Sequence, residues 1–329
     1  MNSLEPKLVT IFGGSGFVGT QVAQELARRG HRVRVAVRRP NLARHVTLLG
    51  GGVGQVVRIQ ANIRNLPSVE RAIAGADIVI NLVGVGYQSG PQTFDAIHNK
   101  GAAAIAEAAK RLGARHFVQM SALGVDKAAD VSLYAKSKLD GERGVMQAFP
   151  GAVIMRPSLM FGQDDGFFNL MGSLTKWFPI LPLIGGDTRF QPAFVGDVAE
   201  AIAMAAEGQV RSGRIYELGG PQIETYRALM ERVKRETQRN RPLLALPNNI
   251  ARLMAIPFSF LPIRPLITKD QVALLGVDNI VSDEAIREKR TFAAFGITPT
   301  SMDTILPTYL WRFRKHGQFD RAAPATTTD

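Results

Sequence analysis

Residues 7–19, Lys7-Leu-Val-Thr-Ile-Phe-Gly-Gly-Ser-Gly-Phe-Val-Gly19, decide how this chain is read. An apolar, β-branched run (Leu8, Val9, Ile11, Phe12) breaks into glycines, after which Phe17, Val18, Val22, Ala23 and Leu26 recur at helical spacing. That order predicts strand, tight turn and helix. Gly13 lets the chain turn sharply, Gly16 lets backbone amides approach a pyrophosphate, and Gly19 lets the helix lie close to the sheet. Phosphates then sit at the helix N-terminus, around Ser15, Phe17 and Val18, where unpaired N–H groups and the macrodipole favour negative charge. A dinucleotide is the expected ligand; the alternative is an ordinary glycine turn.

Working outward, residues 20–30 complete the first helix, with Gly30 as its C′ residue. A second strand, 31–37, ends in Arg38-Arg39-Pro40. Chains selective for NAD carry an acid here to hold the ribose 2′-hydroxyl. Two arginines suit a 2′-phosphate instead, through charge-assisted hydrogen bonds, so NADP(H) is favoured over NAD(H). The alternative is that Arg38 and Arg39 are solvated loop charges. Further strands are expected at 55–59, 77–83 and 116–120, with an alanine-rich helix over 93–112. Asn62 and Ile63 should lie at the adenine edge, and Leu82, Val83 and Gly84 beside the cofactor. Alternation of this kind predicts an α/β chain with a Rossmann-type doubly wound parallel sheet, whose ligands bind beyond the carboxyl ends of the strands.

Composition narrows the function classes. The 329 residues are 46% hydrophobic and 21% charged, as expected for a globular chain of about two domains. With no cysteine, disulfides, thiolate metal sites, iron–sulfur ligation and a cysteine nucleophile are excluded. The five histidines, scattered without metal-ligand spacing, are read as surface or packing residues, and no metal is expected. Met1 lies just before the first strand, so no targeting peptide is expected and bacterial cytoplasm is the default location. The net charge of +12 admits nucleic acid, anionic lipid or an acidic assembly as partners. Nucleic acid is the least favoured, because no reader motif is present.

Ser121 closes the fifth strand, and Tyr134-Ala-Lys-Ser-Lys138 lies on the next helix. A spacing of four puts Tyr134 and Lys138 on one face. Such a lysine can bond the nicotinamide ribose and lower the tyrosine pKa, leaving the tyrosine to act as acid or base on a carbonyl or alcohol oriented by the serine.

With the glycines, this constellation resembles the extended or atypical short-chain dehydrogenase/reductase superfamily. Asn99, in Asn99-Lys-Gly101, matches its helix asparagine, and Ser121, Tyr134 and Lys138 match its other active-site residues. Arg156-Pro157-Ser158-Leu159-Met-Phe-Gly162 resembles the segment that closes on nicotinamide, which implies contacts from Pro157, Ser158 and Leu159. Residues 190–198 resemble a later strand and helix start, with Asp197 as a plausible N-cap. A narrower resemblance spans almost the whole chain. Residues 134–142, 156–169, 191–198 and 265–270 are similar to the NADPH-binding accessory subunit of respiratory complex I (NADH:ubiquinone oxidoreductase), in its bacterial form. That resemblance implies firmly held NADPH, a structural or regulatory role on the hydrophilic arm near the membrane and quinone region, and other complex I subunits as partners.

The expected organisation is an NADP-binding domain of residues 1–160 plus about 190–218, a smaller domain of 161–189 and 219–320, and a disordered tail, 321–329. Residues 166–186 are nearly all apolar where a sugar-nucleotide enzyme needs polar groups. Residues 243–268 are apolar and broken by prolines, suited to a membrane surface, another subunit or the chain's own small domain. Tyr309-Leu-Trp-Arg-Phe-Arg-Lys-His316 mixes aromatics with cations and suggests anionic lipid or an acidic partner. Two functions follow as expectations: an NADPH-holding subunit at the inner face of the membrane, or an independent NADPH-dependent oxidoreductase for an apolar carbonyl compound.

Overall fold

The computed structural model describes residues 5–246 and 268–315. Five strands follow the expected run, β1 (Leu8–Phe12), β2 (Arg32–Val37), β3 (Val56–Gln60), β4 (Ile78–Asn81) and β5 (His116–Met120), and β6 (Val153–Pro157) comes after them. Four short strands come next, β7 (Met160–Phe161), β8 (Leu181–Leu183), β9 (Arg189–Phe190) and β10 (Ala193–Phe194). Then β11 (Ile215–Leu218) rejoins the main sheet, whose order is β11-β6-β5-β4-β1-β2-β3. Every neighbouring pair in it is parallel. The strand order reverses between β1 and β4, which opens the crevice where such sheets bind ligands.

Helices cover both faces, which explains why β4 and β6 are buried at every residue. On one face α1 (Phe17–Arg28) and α7 (Val195–Ala206) contribute Val22, Leu26 and Ile202 to the core. On the other, α2 (Leu66–Ile73), α3 (Gly101–Arg111) and α5 (Leu133–Ala148) contribute Ile73, Ile105 and Val145. The first helix ends as expected: Gly30 takes φ +88°, and the amides of Gly30 and His31 return to Ala27 and Leu26. The alanine-rich helix differs from expectation. Regular helix begins only at Gly101, after a π-helical turn over Asp95–Lys100. Such wide turns shift the facing of the residues they contain and are frequent at functional sites.

A smaller body surrounds the end of β6. Its core joins α6 (Phe167–Trp177), α8 (Tyr226–Thr237) and the helix Met302–Leu310 through Phe168, Leu229, Val233, Leu306 and Leu310. Two short pairings brace it: β12 (Glu224–Thr225) with β9, and β13 (Leu243–Ala245) with β8. The chain also returns to the main sheet, where Phe292 and Phe295 enter the α1–α7 core. Arg156, buried in β6, ties the sheet to α5 through Glu142 at 2.7 Å and to Asp126 at 3.0 Å. These partners hold its guanidinium above its ordinary pKa despite the opposing effect of burial.

Two expectations are corrected. Asp197 does not cap α7, because that helix already starts at Val195. It sits in the first turn, and its carboxylate accepts hydrogen bonds from the Thr300 amide and hydroxyl, which pins the returning C-terminal segment. The aromatic and cationic residues 309–315 are largely packed on their own chain rather than presented to a partner. Tyr309 is buried and donates to Asp165 at 2.5 Å, and Arg239 and Arg314 donate across the small body to Phe313 and Glu236 carbonyls. The proline-broken stretch from 247 to 267, His316 and the tail 321–329 lie outside the described residues.

Candidate dinucleotide-binding and reaction site

The glycine turn takes the conformation its sequence requires. Gly13 sits at φ +79°, a region that disfavours side chains, and a Cβ on Gly19 would lie 2.3 Å from the Gly13 carbonyl oxygen. The N-terminus of α1 therefore rides directly on the turn. It has no side-chain cap and no acid in its first turn, so the amides of Phe17, Val18 and Gly19 are left for an anion. A Cβ on Gly16 would meet nothing nearer than 3.5 Å, so this edge is open to a phosphate. An uncapped helix end above an open glycine edge fits a pyrophosphate.

A cleft of about 270 Å³ runs from this turn along the switch point. Gly13, Ser15 and Gly16 form one end; Leu82, Val83 and Gly84 form the floor; Asn62 and Ile63 line it as well. Arg38 reaches the cleft, whereas Arg39 lines an adjoining hollow with Leu42 and His45. The N-terminus of α1 meets the cleft through its N-cap, Gly16; Phe17, Val18 and Gly19 follow it in the first turn and are not themselves lining residues. Two polar lining residues escaped the sequence reading. Arg64, two residues after Asn62, adds a second cation, and Gln92 accepts a hydrogen bond from Arg38. Arg64 was findable as a cation just after a strand. Gln92 had no signal, since its loop comes near Arg38 only in three dimensions.

At the carboxyl ends of β4 and β5 the structure brings Gly84, Ser121, Tyr134 and Lys138 together. Ser121 is 5% exposed, and its Oγ is the one buried side-chain polar atom without a hydrogen-bond partner among the described residues. In a native structure such an atom marks a place for a ligand or water. Lys138 donates to the Met120 carbonyl at 3.2 Å, and its Nζ lies 3.4 Å from where a Gly84 Cβ would stand. Burial draws its pKa down to about 8, with Glu142 opposing. Tyr134 moves the other way, up to about 12, through burial and then the charge of Asp270. The expected lowering of the tyrosine by Lys138 is not found, and Tyr134 keeps its proton.

The helix residue that reaches this group is His98. Asn99 donates to Asp95 at 2.9 Å on the exposed side of the π-helical turn, so its side chain is not brought to the Tyr134–Lys138 pair. The ring of His98 lies 5.2 Å from that of Tyr134, accepts from the Val85 amide at 3.0 Å and meets Ser137 Oγ at 2.9 Å. A Cβ on Gly141 would come within 1.9 Å of the His98 carbonyl oxygen, so α5 presses on the wide turn and fixes this facing. Burial, then the nearby Lys138 charge, lowers the His98 pKa to about 3, and the imidazole is neutral. His98 is thus a packing residue, as read from the sequence, but one packed directly against Tyr134.

Pro157, Ser158 and Leu159 line a separate cavity of about 450 Å³ in front of Ser121 and Tyr134. Ser158 is already engaged, donating to Asn279 at 2.6 Å. The helix Lys269–Leu274 roofs the cavity through Gln271 and Leu274. Asp270 fastens that roof to the start of α5, accepting from Ser132 Oγ at 2.8 Å and from the Leu133 amide at 2.7 Å. Among the described residues no cluster of His, Cys, Asp and Glu could hold a metal, and no helix is long and apolar enough to cross a membrane.

The comparisons with known proteins agree with this geometry. Residues 9–219 match the NAD dependent epimerase/dehydratase family. The mitochondrial NADH dehydrogenase (ubiquinone) 1 alpha subcomplex subunit 9 of Arabidopsis thaliana is 34% identical, covering 96% of this chain and 80% of that protein. A ceramide reductase of Caulobacter vibrioides is 31% identical over 58% of each chain. Among solved structures, an NADPH-dependent quinone oxidoreductase of Escherichia coli superposes with a TM-score of 0.68 at 16% identity, covering 92% of this chain and 98% of that one, a likeness of fold. The chain thus belongs to the NAD dependent epimerase/dehydratase family and, within it, is homologous along its length to the complex I accessory subunits that the Arabidopsis protein represents.

Proposed function

We propose that this protein holds NADPH in the Arg38 cleft and serves as an accessory subunit of a respiratory complex I, with little turnover of its own. The observation that carries the cofactor is the bare N-terminus of α1 facing a cleft that ends in Arg38 and Arg64 with no carboxylate lining it. The assembly role is supported by the whole-chain relative and by a surface suited to a partner. Trp177 is 73% exposed, and Phe178, Ile180 and Leu244 are exposed beside it where β8 meets β13. The bacterial form, the inner membrane face and contact with anionic lipid belong to this proposal and rest on the sequence. Lys138 and Tyr134 serve the cofactor ribose in a quiet site as well as in an active one.

A second reading is favoured by the site taken alone: an independent oxidoreductase for an apolar carbonyl compound. Ser121, Tyr134 and Lys138 are all present around a cavity. NADPH, when bound, supplies a hydride to the carbonyl carbon. Tyr134 delivers the proton to the carbonyl oxygen, Ser121 Oγ holds that oxygen, and the product is the alcohol. Purifying the untagged chain from mild-detergent membrane extracts, with release and identification of its nucleotide, separates the two. Co-purification with complex I subunits and about one NADPH per chain supports the first; a free protein that exchanges NADPH rapidly supports the second.

A further inference from the structure

The cavity before Ser121 does not end at its own walls. A second cavity, of about 620 Å³, abuts it and shares Gly86, Leu159, Phe190, Gln271, Leu274 and Leu275. Its far wall is Phe167, Leu170, Met171 and Tyr226 from the small body. Each volume falls in the range of small-molecule sites. Together they lead from the end of β5 across to the small body.

The chemistry of the walls selects the ligand. Among the described residues no lysine, arginine or histidine lines either cavity, and the charged residues that do, Asp270 and Asp278, are carboxylates. Among the described residues a sugar nucleotide's diphosphate would find carboxylates and no lining cation, at a large desolvation cost. Asp270 is committed to Ser132 and the α5 amides, and Asp278 to Arg189 at 2.9 Å. Ser158 and Asn279 bond each other. That leaves Ser121 Oγ, buried and unpartnered, as the polar atom in want of an acceptor or donor. One small oxygen head, and apolar contact beyond it, is what the walls can satisfy.

We propose that the two cavities form one binding site for a neutral carbonyl compound with a linear apolar chain. Its oxygen sits at Ser121 and Tyr134, and its chain runs past Leu159 and Leu274 toward Met171 and Tyr226. The head-group position rests on the oxidoreductase reading above; the chain site rests on the cavities. The helix Lys269–Leu274 is the common roof, so its Asp270 anchor on α5 keeps head site and chain site in line.

Methyl ketones of four to eleven carbons, titrated calorimetrically into the NADPH-loaded full chain, test the site. The dissociation constant should fall about fourfold per added methylene until the far wall is reached. Leu170→Trp should abolish that gain for the longer ketones while leaving the shortest ketone and NADPH unchanged. Gly166→Leu is the second variant, at a far-cavity position where an added Cβ meets nothing within 4 Å; an unchanged urea midpoint and NADPH affinity check that the fold is kept. A dissociation constant independent of chain length, or tighter binding of UDP-glucose than of the long ketones, overturns the proposal. Loss of NADPH absorbance is followed in the same samples. Chain-dependent binding without oxidation keeps the site and ends the oxidoreductase reading; oxidation without chain dependence does the reverse.

Discussion

The cofactor cleft and the roofed cavity in front of it are built in opposite ways. Most of the cleft wall comes from the few residues that follow a strand, Gly13 to Gly16 after β1, Arg38 after β2, Asn62 to Arg64 after β3 and Leu82 to Gly84 after β4, with Gln92 and Ile97 added from farther along the chain. The cavity is closed by partners far apart in the chain. Asp270 bonds Ser132 across 138 positions, and Asn279 bonds Ser158 across 121. A phosphate site needs backbone amides and glycines, which a short motif supplies. A substrate-sized cavity needs side chains from several elements, and only packing brings those together.

The sharpest way to break this contrast is to cut the chain at Tyr309. The small body depends on buried Tyr309 and Leu310, so deletion of 309–329 should cost more than about 5 kcal/mol in urea unfolding. A deletion variant with the midpoint of the full chain would show that the cavity side does not rely on its terminus. On the cleft side, Arg38→Ala should weaken NADPH by about 1.5–3 kcal/mol and leave NADH nearly unchanged, since only the 2′-phosphate loses a charge-assisted bond. Equal losses for both nucleotides would remove Arg38 from the 2′-phosphate and leave the task to Arg39 or Arg64.

His98 stands between the two regions and gives them a common pH response. Its pKa is lowered to about 3 in the folded chain, so below the ordinary histidine value of 6.5 the unfolded chain binds the proton first. Stability contributed by the neutral imidazole should therefore be full above about pH 6.5 and fall by about 1.4 kcal/mol per pH unit toward pH 3. His98→Asn should flatten that slope in acid unfolding curves; an unchanged slope assigns the acid loss to other groups. The smallest effect is expected at the roof. Asp270→Asn should cost about 1 kcal/mol by weakening its hold on the N-terminus of α5. It should also speed amide exchange at Leu133 and Tyr134 and bring the Tyr134 pKa below about 12, because a raising charge is gone. Unaltered exchange would mean that the roof is held by Leu274 and Asn279 without the anchor.

The legible parts of the fold follow the same division. Strands β1 to β5 and helix α1 were readable because apolar period and glycine punctuation are local properties. The switch at Asn99 and His98 was not, because a π-helical turn changes which residue faces the core without altering the composition of the segment. Ser121, Tyr134 and Lys138 were legible by type and spacing. Their protonation tendencies were not, since these depend on burial and on Asp270, a residue from the far end of the chain. The aromatic and cationic run 309–315 looked like a docking strip for lack of any sequence sign that Asp165 and Gly172 would receive Tyr309 and Phe313.

By itself the sequence determined the parallel sheet, the dinucleotide cleft at its switch point, the arginine after β2 that lines it and the exclusion of cysteine chemistry. Each of these is carried by backbone conformation or residue type within a short stretch. The tertiary structure alone decided that His98 rather than Asn99 packs against Tyr134, that burial and Asp270 keep the proton on Tyr134, and that two apolar cavities meet under one roof. Those depend on burial, on charge across space and on side chains that approach only when the small body closes against the sheet.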